Sequence, residues 1–418
     1  MQLPNWRPAP RSVLAAALLT TSLAVVLAAS PACAVTITIK NTDGFQEGFN
    51  DPKPVAPVGG NPGTTLGAQR RFLFQYAADI WGARLEGDIP IIVTAAFNHL
   101  GGNSVSAVLG QAGPETYEKG FPGAPLTQTW YSQALANQLA GVDRNDLQPG
   151  ACPDPLVAGH CPEIFAEFNS DVDGSVLGSV DFYYGLDGNN GSDLDFLSVL
   201  LHEFAHGLGL IDLIDNETGR ITPNPNGDTC QSCNDAYTNN LEDPKFTPNK
   251  KLSLMTNNQR LQAIVDDSKL VWTGAAAVAA SDTLTAGVRA DGAIQIYAPT
   301  TYLAGSSVHH VDTDVAPNEL MEPFSFNPPP RDLTITLALL KDLGWDLVAL
   351  QRCGDANDDS KVTTADALQV LRASVNPNAE CPELVCNVNS TGGITTSDAL
   401  LLLKFSVGQG VALHCPLA

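Results

Sequence analysis

The chain has 418 residues, of which 44% are hydrophobic and 16% charged, and a formal net charge of −23. This is the composition of a globular protein long enough for two or three domains. The acidity argues against nucleic acid or anionic membrane as a partner and suits an exported protein or one that binds cations.

Arg7 and Arg11 precede an apolar run from Val13 to Ala29, and Ala32-Cys33-Ala34 offers a small-residue cleavage site. This layout predicts a secretory signal peptide over residues 1–34, hence a secreted or cell-surface chain with no membrane span after cleavage. A lipid anchor at Cys33 is disfavoured because Ser30-Pro31-Ala32 lacks the expected leucine. Loss of Cys33 from nine cysteines leaves an even set in oxidising surroundings, which reads as disulfides. That reading includes Cys230-Gln231-Ser232-Cys233, since no further Cys or His lies close enough in sequence to complete a zinc site there.

Val35 to Ile39 alternates β-branched residues and reads as a strand. A Gly/Pro/Asn-rich loop follows over 41–67, then an amphipathic helix over Gln69–Leu85 and a strand over Ile91–Phe97. The pattern is weak from Gly101 to Gly159, apart from a short helix near Ser132–Leu139. Glu163–Asn169 reads as a strand, expected at the sheet edge where an extended substrate could lie. Ser192 is placed to cap an apolar helix running from Leu194 to Ile211. Residues 212–297 look like an insertion packed on the core, with a helix near Asn257–Asp266 and an Ala-rich run at Gly274–Ala280. A last helix, Leu333–Leu343, ends at Gly344-Trp345 and closes a domain over 35–350. Strands mixed with helices in this order predict an α/β or α+β layer fold, of which α+β is the expectation.

Within the apolar helix stands His202-Glu203-Phe204-Ala205-His206. Residues four apart share a helix face, so His202 and His206 present two imidazoles at a spacing suited to one Zn²⁺. Glu203 lies beside that face, where a general base for a zinc-activated water belongs. A catalytic zinc needs three protein ligands and an open position. Two candidates complete the set. Asp212 is local, in H-E-x-x-H-x-x-G-x-x-D, where Gly209 could turn the chain back. His309 or His310 is remote.

The H-E-x-x-H-x-x-G pattern with a downstream methionine turn resembles the metzincin zinc peptidases. Gly305-Ser306-Ser307 before a histidine, followed by Glu319-Leu320-Met321-Glu322-Pro323, is similar to their leishmanolysin-like branch. The resemblance implies a mixed sheet with an active-site helix and a third ligand at His310 rather than His309. It also implies that Met321, not Met255, is the Met-turn residue, an apolar floor that does not coordinate. Asp212, at the place where most metzincins put the third ligand, stays as the alternative. His99, His160 and His414 read as ordinary polar residues.

Residues 351–418 contain an internal repeat, each copy a loop of oxygen-bearing residues entering an apolar helix. Both follow the spacing of an EF-hand-like calcium loop. The first offers Asp355, Asn357, Asp359, Lys361 (carbonyl), Thr363 and Asp366. The second offers Asn387, Asn389, Thr391, Gly393 (carbonyl), Thr395 and Asp398. Affinity follows charge count, so the second loop should be the weaker or empty one. The paired units resemble a type I dockerin, a small all-α calcium-binding domain, and the resemblance implies a cohesin-type partner.

The expectation is therefore a secreted zinc-dependent endopeptidase acting on protein or peptide substrates, with Zn²⁺ and Ca²⁺ as cofactors and a docking module over 351–418. A non-catalytic secreted surface or adhesive protein retaining the fold is the alternative. A glycan-processing enzyme is disfavoured, since no carboxylate pair falls in a sugar-cleaving motif.

Overall fold

The computed structural model describes residues 34–147, 160–174, 176–223, 230, 233–248, 250–348, 353–359, 361–376, 379, 381–389, 393–411, 413 and 415. The expected signal peptide lies outside these residues except for Ala34, and so do Cys152, Thr391 and His414. The fold is mixed α+β. Among the described residues no helix is long and apolar enough to cross a membrane.

The first half comprises strand β1 (Ile37–Asn41), helix α1 (Leu66–Gly82), strands β2 (Ile91–Asn98), β3 (Gly110–Pro114), β4 (Tyr117–Glu118) and β5 (Thr129–Ser132), helix α2 (Gln133–Ala140) and strand β6 (Ile164–Asn169). The central sheet has the order β1-β2-β6-β3. Strand β2 is parallel to both neighbours, and its unbroken apolar run Ile91-Ile92-Val93 suits a strand covered on both faces.

Strand β6 is not the sheet edge that its sequence led us to expect. It pairs with β2 from Val93↔Ile164 to Asn98↔Asn169 and with β3, antiparallel, from Gly110↔Phe168 to Pro114↔Ile164. The edge is β3. Gly110-Gln111-Ala112-Gly113-Pro114 has almost none of the side chains that favour strands, so its pairing comes from tertiary context.

Strands β7 (Phe182–Tyr183) and β8 (Leu194–Asp195) pair in parallel and lead into helix α3 (Phe196–Gly207). The helix is shorter than the expected Leu194–Ile211, and Ser192 is not its cap. Leu194 and Asp195 are taken by β8, and Asp195 caps the helix by accepting the Ser198 N–H at 2.7 Å. Helix α1 likewise begins earlier than its apolar spacing predicts, because Thr65 caps it by accepting the Ala68 N–H.

An aromatic cluster fixes α1, α3 and the sheet together. Phe74 lies 4.6 Å from Phe49, 5.0 Å from Phe168, 5.9 Å from Phe196 and 6.0 Å from Phe204, ring centre to ring centre. Each buried ring contributes about 1.5–3 kcal/mol. Two buried indoles bind carbonyls of the α3 region: Trp81 donates to Leu201 and Trp345 to Leu208.

The stretch after α3 contains strands β9 (Asn234–Asp235) and β10 (Leu241–Glu242), helix α4 (Asn257–Ala263), strand β11 (Val271–Trp272), helix α5 (Ala275–Ala280) and strand β12 (Ile294–Gln295). Helix α6 (Thr334–Leu343) ties it to the core. Asp342 on α6 accepts the Trp272 indole N–H at 2.9 Å and the Ala276 and Ala277 N–H groups that open α5.

Helices α7 (Thr364–Val375), α8 (Glu383–Cys386) and α9 (Thr396–Ser406) follow. They surround a core of their own, including Ala367, Val370, Val388, Ala399 and Leu402. Disulfides join Cys353 to Cys415 and Cys381 to Cys386 there, and Cys230 to Cys233 upstream. Cys161 is also disulfide-bonded.

Candidate metal centre

Helix α3 places His202 and His206 one turn apart, and the chain brings His310 to them across 108 residues. The three Nε2 atoms form a near-equilateral triangle with sides of 3.1, 3.1 and 3.2 Å. Zn–N bonds of about 2.0–2.1 Å in a tetrahedral arrangement place neighbouring nitrogens roughly 3.3 Å apart. The triangle fits that spacing.

The opposite nitrogen of each ring is engaged. The Nδ1–H of His202 donates to the Leu320 carbonyl (2.7 Å), that of His206 to Leu210 (2.7 Å) and that of His310 to Ser306 (2.8 Å). A carbonyl can only accept, so each Nδ1 carries the proton and each Nε2 keeps its lone pair. Three lone pairs facing one another at this distance have no proton to share and repel. A cation between them removes the repulsion, and the carbonyls hold the rings in the ligating tautomer. Burial pushes His202 down to about 4, and burial with neighbouring histidines lowers His206 and His310 well below the usual imidazole value, so all three are neutral and able to bind metal near neutral pH.

Glu203 is buried beside the triad. Burial raises its carboxyl to about 8, opposed by a hydrogen bond from the Ala112 N–H of edge strand β3. Met321 is buried in the same core, and its carbonyl accepts the Val311 N–H at 2.8 Å. It follows directly after Leu320, whose carbonyl orients His202.

Asp212 does not join the triad. Gly209 turns the chain after α3 with φ +122, a conformation reserved for glycine, and Leu210 then offers its carbonyl to His206. Asp212 instead accepts the Ile214 N–H and pairs with Nδ1 of His309 at 2.8 Å. The His309 ring packs edge-on to His206 with centres 5.9 Å apart. Val308 precedes it with φ +80, strained for a β-branched residue. Two bonds hold it: the Val308 N–H to the Tyr297 carbonyl and the Tyr237 hydroxyl to the Val308 carbonyl. The adjacent histidines thus face different partners, His309 an aspartate and His310 the triad.

A second grouping escaped sequence reading. Asp143, Asp146 and His160 lie close enough to share an ion. The His160 Nδ1 already bonds Asp146, with Asp143 at 3.7 Å, and the ring is largely exposed. These residues satisfy one another, and the signal for their meeting is tertiary. His99 is exposed and pairs with Asp171.

In the C-terminal repeat, Asp366 and Asp398 occupy matching positions. Asp366 Oδ1 accepts the Asn357 N–H (3.1 Å), and Oδ2 accepts the Thr363 N–H (2.8 Å) and hydroxyl (2.9 Å). Asp398 does the same with Asn389 and Thr395 at 3.1, 2.8 and 2.8 Å. Both complete capping boxes, on α7 and α9. Asp355 and Asn357 accept the Asp359 N–H, and Asp359 accepts that of Lys361, which curls the first loop. In the second loop the Asn387 side-chain oxygen is buried and has no hydrogen-bond partner among the described residues.

No protein-family model matches the chain, and no curated protein matches it either.

Proposed function

We propose that the chain is a secreted zinc-dependent endopeptidase carrying a calcium-binding docking module. The observation that carries this reading is the triad: three buried imidazoles with their Nε2 lone pairs 3.1–3.2 Å apart, each fixed by a backbone carbonyl, next to a buried glutamate. His202, His206 and His310 would hold the zinc, with Asp212 supporting through His309. Zinc bound there supplies Lewis acidity, which acidifies a water and polarises a peptide carbonyl. Glu203 takes the proton of the attacking water and returns it to the leaving amine. Burial alone holds this carboxyl in its protonated form near neutral pH; the Ala112 N–H, together with the positive charge of a bound zinc, would favour the ionised form that the step needs. Met321 closes the apolar side of the site. Oxidised cysteines support an extracellular place of work.

Calcium at both C-terminal loops is part of the same proposal. Three carboxylates at the ligand positions of the first loop, Asp355, Asp359 and Asp366, favour it by charge count, and the buried Asn387 oxygen, without a partner among the described residues, favours occupancy of the second as well. A partner surface is supported by a stripe repeated on the two helices: Leu368, Leu371 and Val375 on α7 match Leu400, Leu403 and Val407 on or just after α9, all exposed. A cohesin-type partner fits the dockerin resemblance.

The test is casein hydrolysis by the purified chain, with zinc content measured in parallel. We expect about one zinc per chain, activity lost to chelation and restored by zinc, and a Glu203→Gln variant that keeps its zinc but loses roughly 10²–10⁴-fold in rate. Full activity in zinc-loaded Glu203→Gln would falsify the mechanism.

A further inference from the structure

We infer that the Cys230–Cys233 disulfide is a thiol–disulfide exchange site, built to be opened by a small external thiol, while the C-terminal disulfides are structural. The two sulfurs are bonded to each other. Nζ of Lys119 lies 3.3 Å from Cys233 Sγ, with its ammonium held 4.0 Å above the Trp130 ring. Oε1 of Gln128 lies 3.6 and 3.5 Å from the two sulfurs.

A disulfide sulfur carries neither proton nor charge, so it gives the glutamine oxygen little in return. Reduction changes that. A Cys230 thiol can donate to the Gln128 oxygen, and a Cys233 thiolate receives the Lys119 ammonium. The surroundings therefore complement the dithiol better than the disulfide.

Access selects the direction. Cys230 is half-buried and Cys233 buried, so an incoming thiolate reaches Cys230. Its sulfur forms a bond to Cys230 Sγ, the Cys230–Cys233 bond breaks, and the electron pair leaves on Cys233 beside the cation. A sulfur stabilised as thiolate is the better leaving group. A second thiolate then attacks the external sulfur of the mixed disulfide and releases Cys230 as thiolate, with the oxidised external disulfide as product.

The buried cysteines of the C-terminal pairs have a different environment. Cys415 Sγ faces the Val385 carbonyl at 3.3 Å, which disfavours a thiolate, and Cys386 is buried in that core. The Cys353–Cys415 bond spans a sequence separation of 62 against 3 for Cys230–Cys233, so its loss frees far more chain. The exchange site is also linked, through intervening residues, to the surroundings of the triad. Cys233 leads into β9, where Asp235 accepts the Leu213 N–H at 3.2 Å, next to the Asp212 that holds His309.

The experiment treats the full chain with graded glutathione redox buffers, quenches with an alkylating reagent and maps labelled cysteines by mass spectrometry. Cys230 and Cys233 should label at a reducing strength about tenfold milder than Cys353, Cys381, Cys386 and Cys415, with the glutathione adduct on Cys230. Lys119→Met and Lys119→Gln should each raise the reductant needed by about tenfold, while the C-terminal cysteines keep their midpoints. Labelling of Cys230 and Cys233 together with or after the C-terminal cysteines overturns the inference. So does an unchanged midpoint in both Lys119 variants.

Discussion

The histidine triad and the C-terminal loops are both candidate ion sites, but they are assembled differently. The triad joins one helix to a strained turn 108 residues away, and each ring is set by a carbonyl from a different segment. Each loop is set within about a dozen residues by its own backbone N–H groups and by one aspartate that also caps the next helix. The triad therefore depends on the whole core for its geometry. The loops depend on little beyond themselves and should need their ion more.

The largest expected effect tests the long-range half of this contrast. His310→Ala leaves two nitrogens and should lower zinc affinity by more than about 100-fold, beyond the upper end for losing an outer partner. Asp212→Asn should cost less than about 10-fold, the lower end for losing a ligand's own outer partner, since it removes only the partner of His309, which is not itself in the triad. Isothermal titration with zinc separates the two, and equal losses would restore Asp212 as a ligand.

Calcium removal tests the local half. At 1,000 times Kd a bound ion stabilises by about 4 kcal/mol. Chelation should therefore strip hydrogen-exchange protection from α7 and α9 while α3 keeps its own. Protection that persists in α7 and α9 would mean that the capping boxes and disulfides suffice without an ion.

The third expectation concerns a buried carboxyl outside the triad and the C-terminal loops. Glu163 accepts from Ile92, Asn137 and Asn145, and burial raises it from 4.5 to about 8. The native state keeps that proton after the unfolded chain has lost it. Stability should then fall as pH rises from about 4.5 to 8, by at most about 1.4 kcal/mol per pH unit. Glu163→Gln should flatten that slope in thermal unfolding, and an unchanged slope assigns the dependence to other groups.

The smallest effect concerns the exposed stripe. Leu371→Lys and Leu403→Lys change residues that are 42% and 43% exposed, so stability should move by less than about 0.5 kcal/mol. A larger loss in a urea titration would show that the stripe is covered within the chain.

Local patterns carried much of this molecule. His202 and His206 follow from helical spacing, and the loop aspartates from a repeat that any reader of the chain can align. Strand β3 was illegible because its glycines, alanine and proline carry no strand signal, and β6 was misplaced at the edge for that reason. The cap of α3 was misjudged because Asp195 both pairs with β7 and caps the helix, and a sequence ranks Ser192 as highly.

By itself the sequence determined a two-histidine helix with a glutamate, two oxygen-rich loops and an α+β alternation, because each is written in spacing over a few turns. The tertiary structure alone decided which third residue meets the two histidines. Asp212 and His310 were both within reach of the chain, and sequence separation does not rank them. The turn at Gly209 gives His206 a carbonyl and sends Asp212 to His309, while the held, left-handed backbone at Val308 turns His310 inward. That choice is made by packing and by which buried groups find partners, neither of which is local.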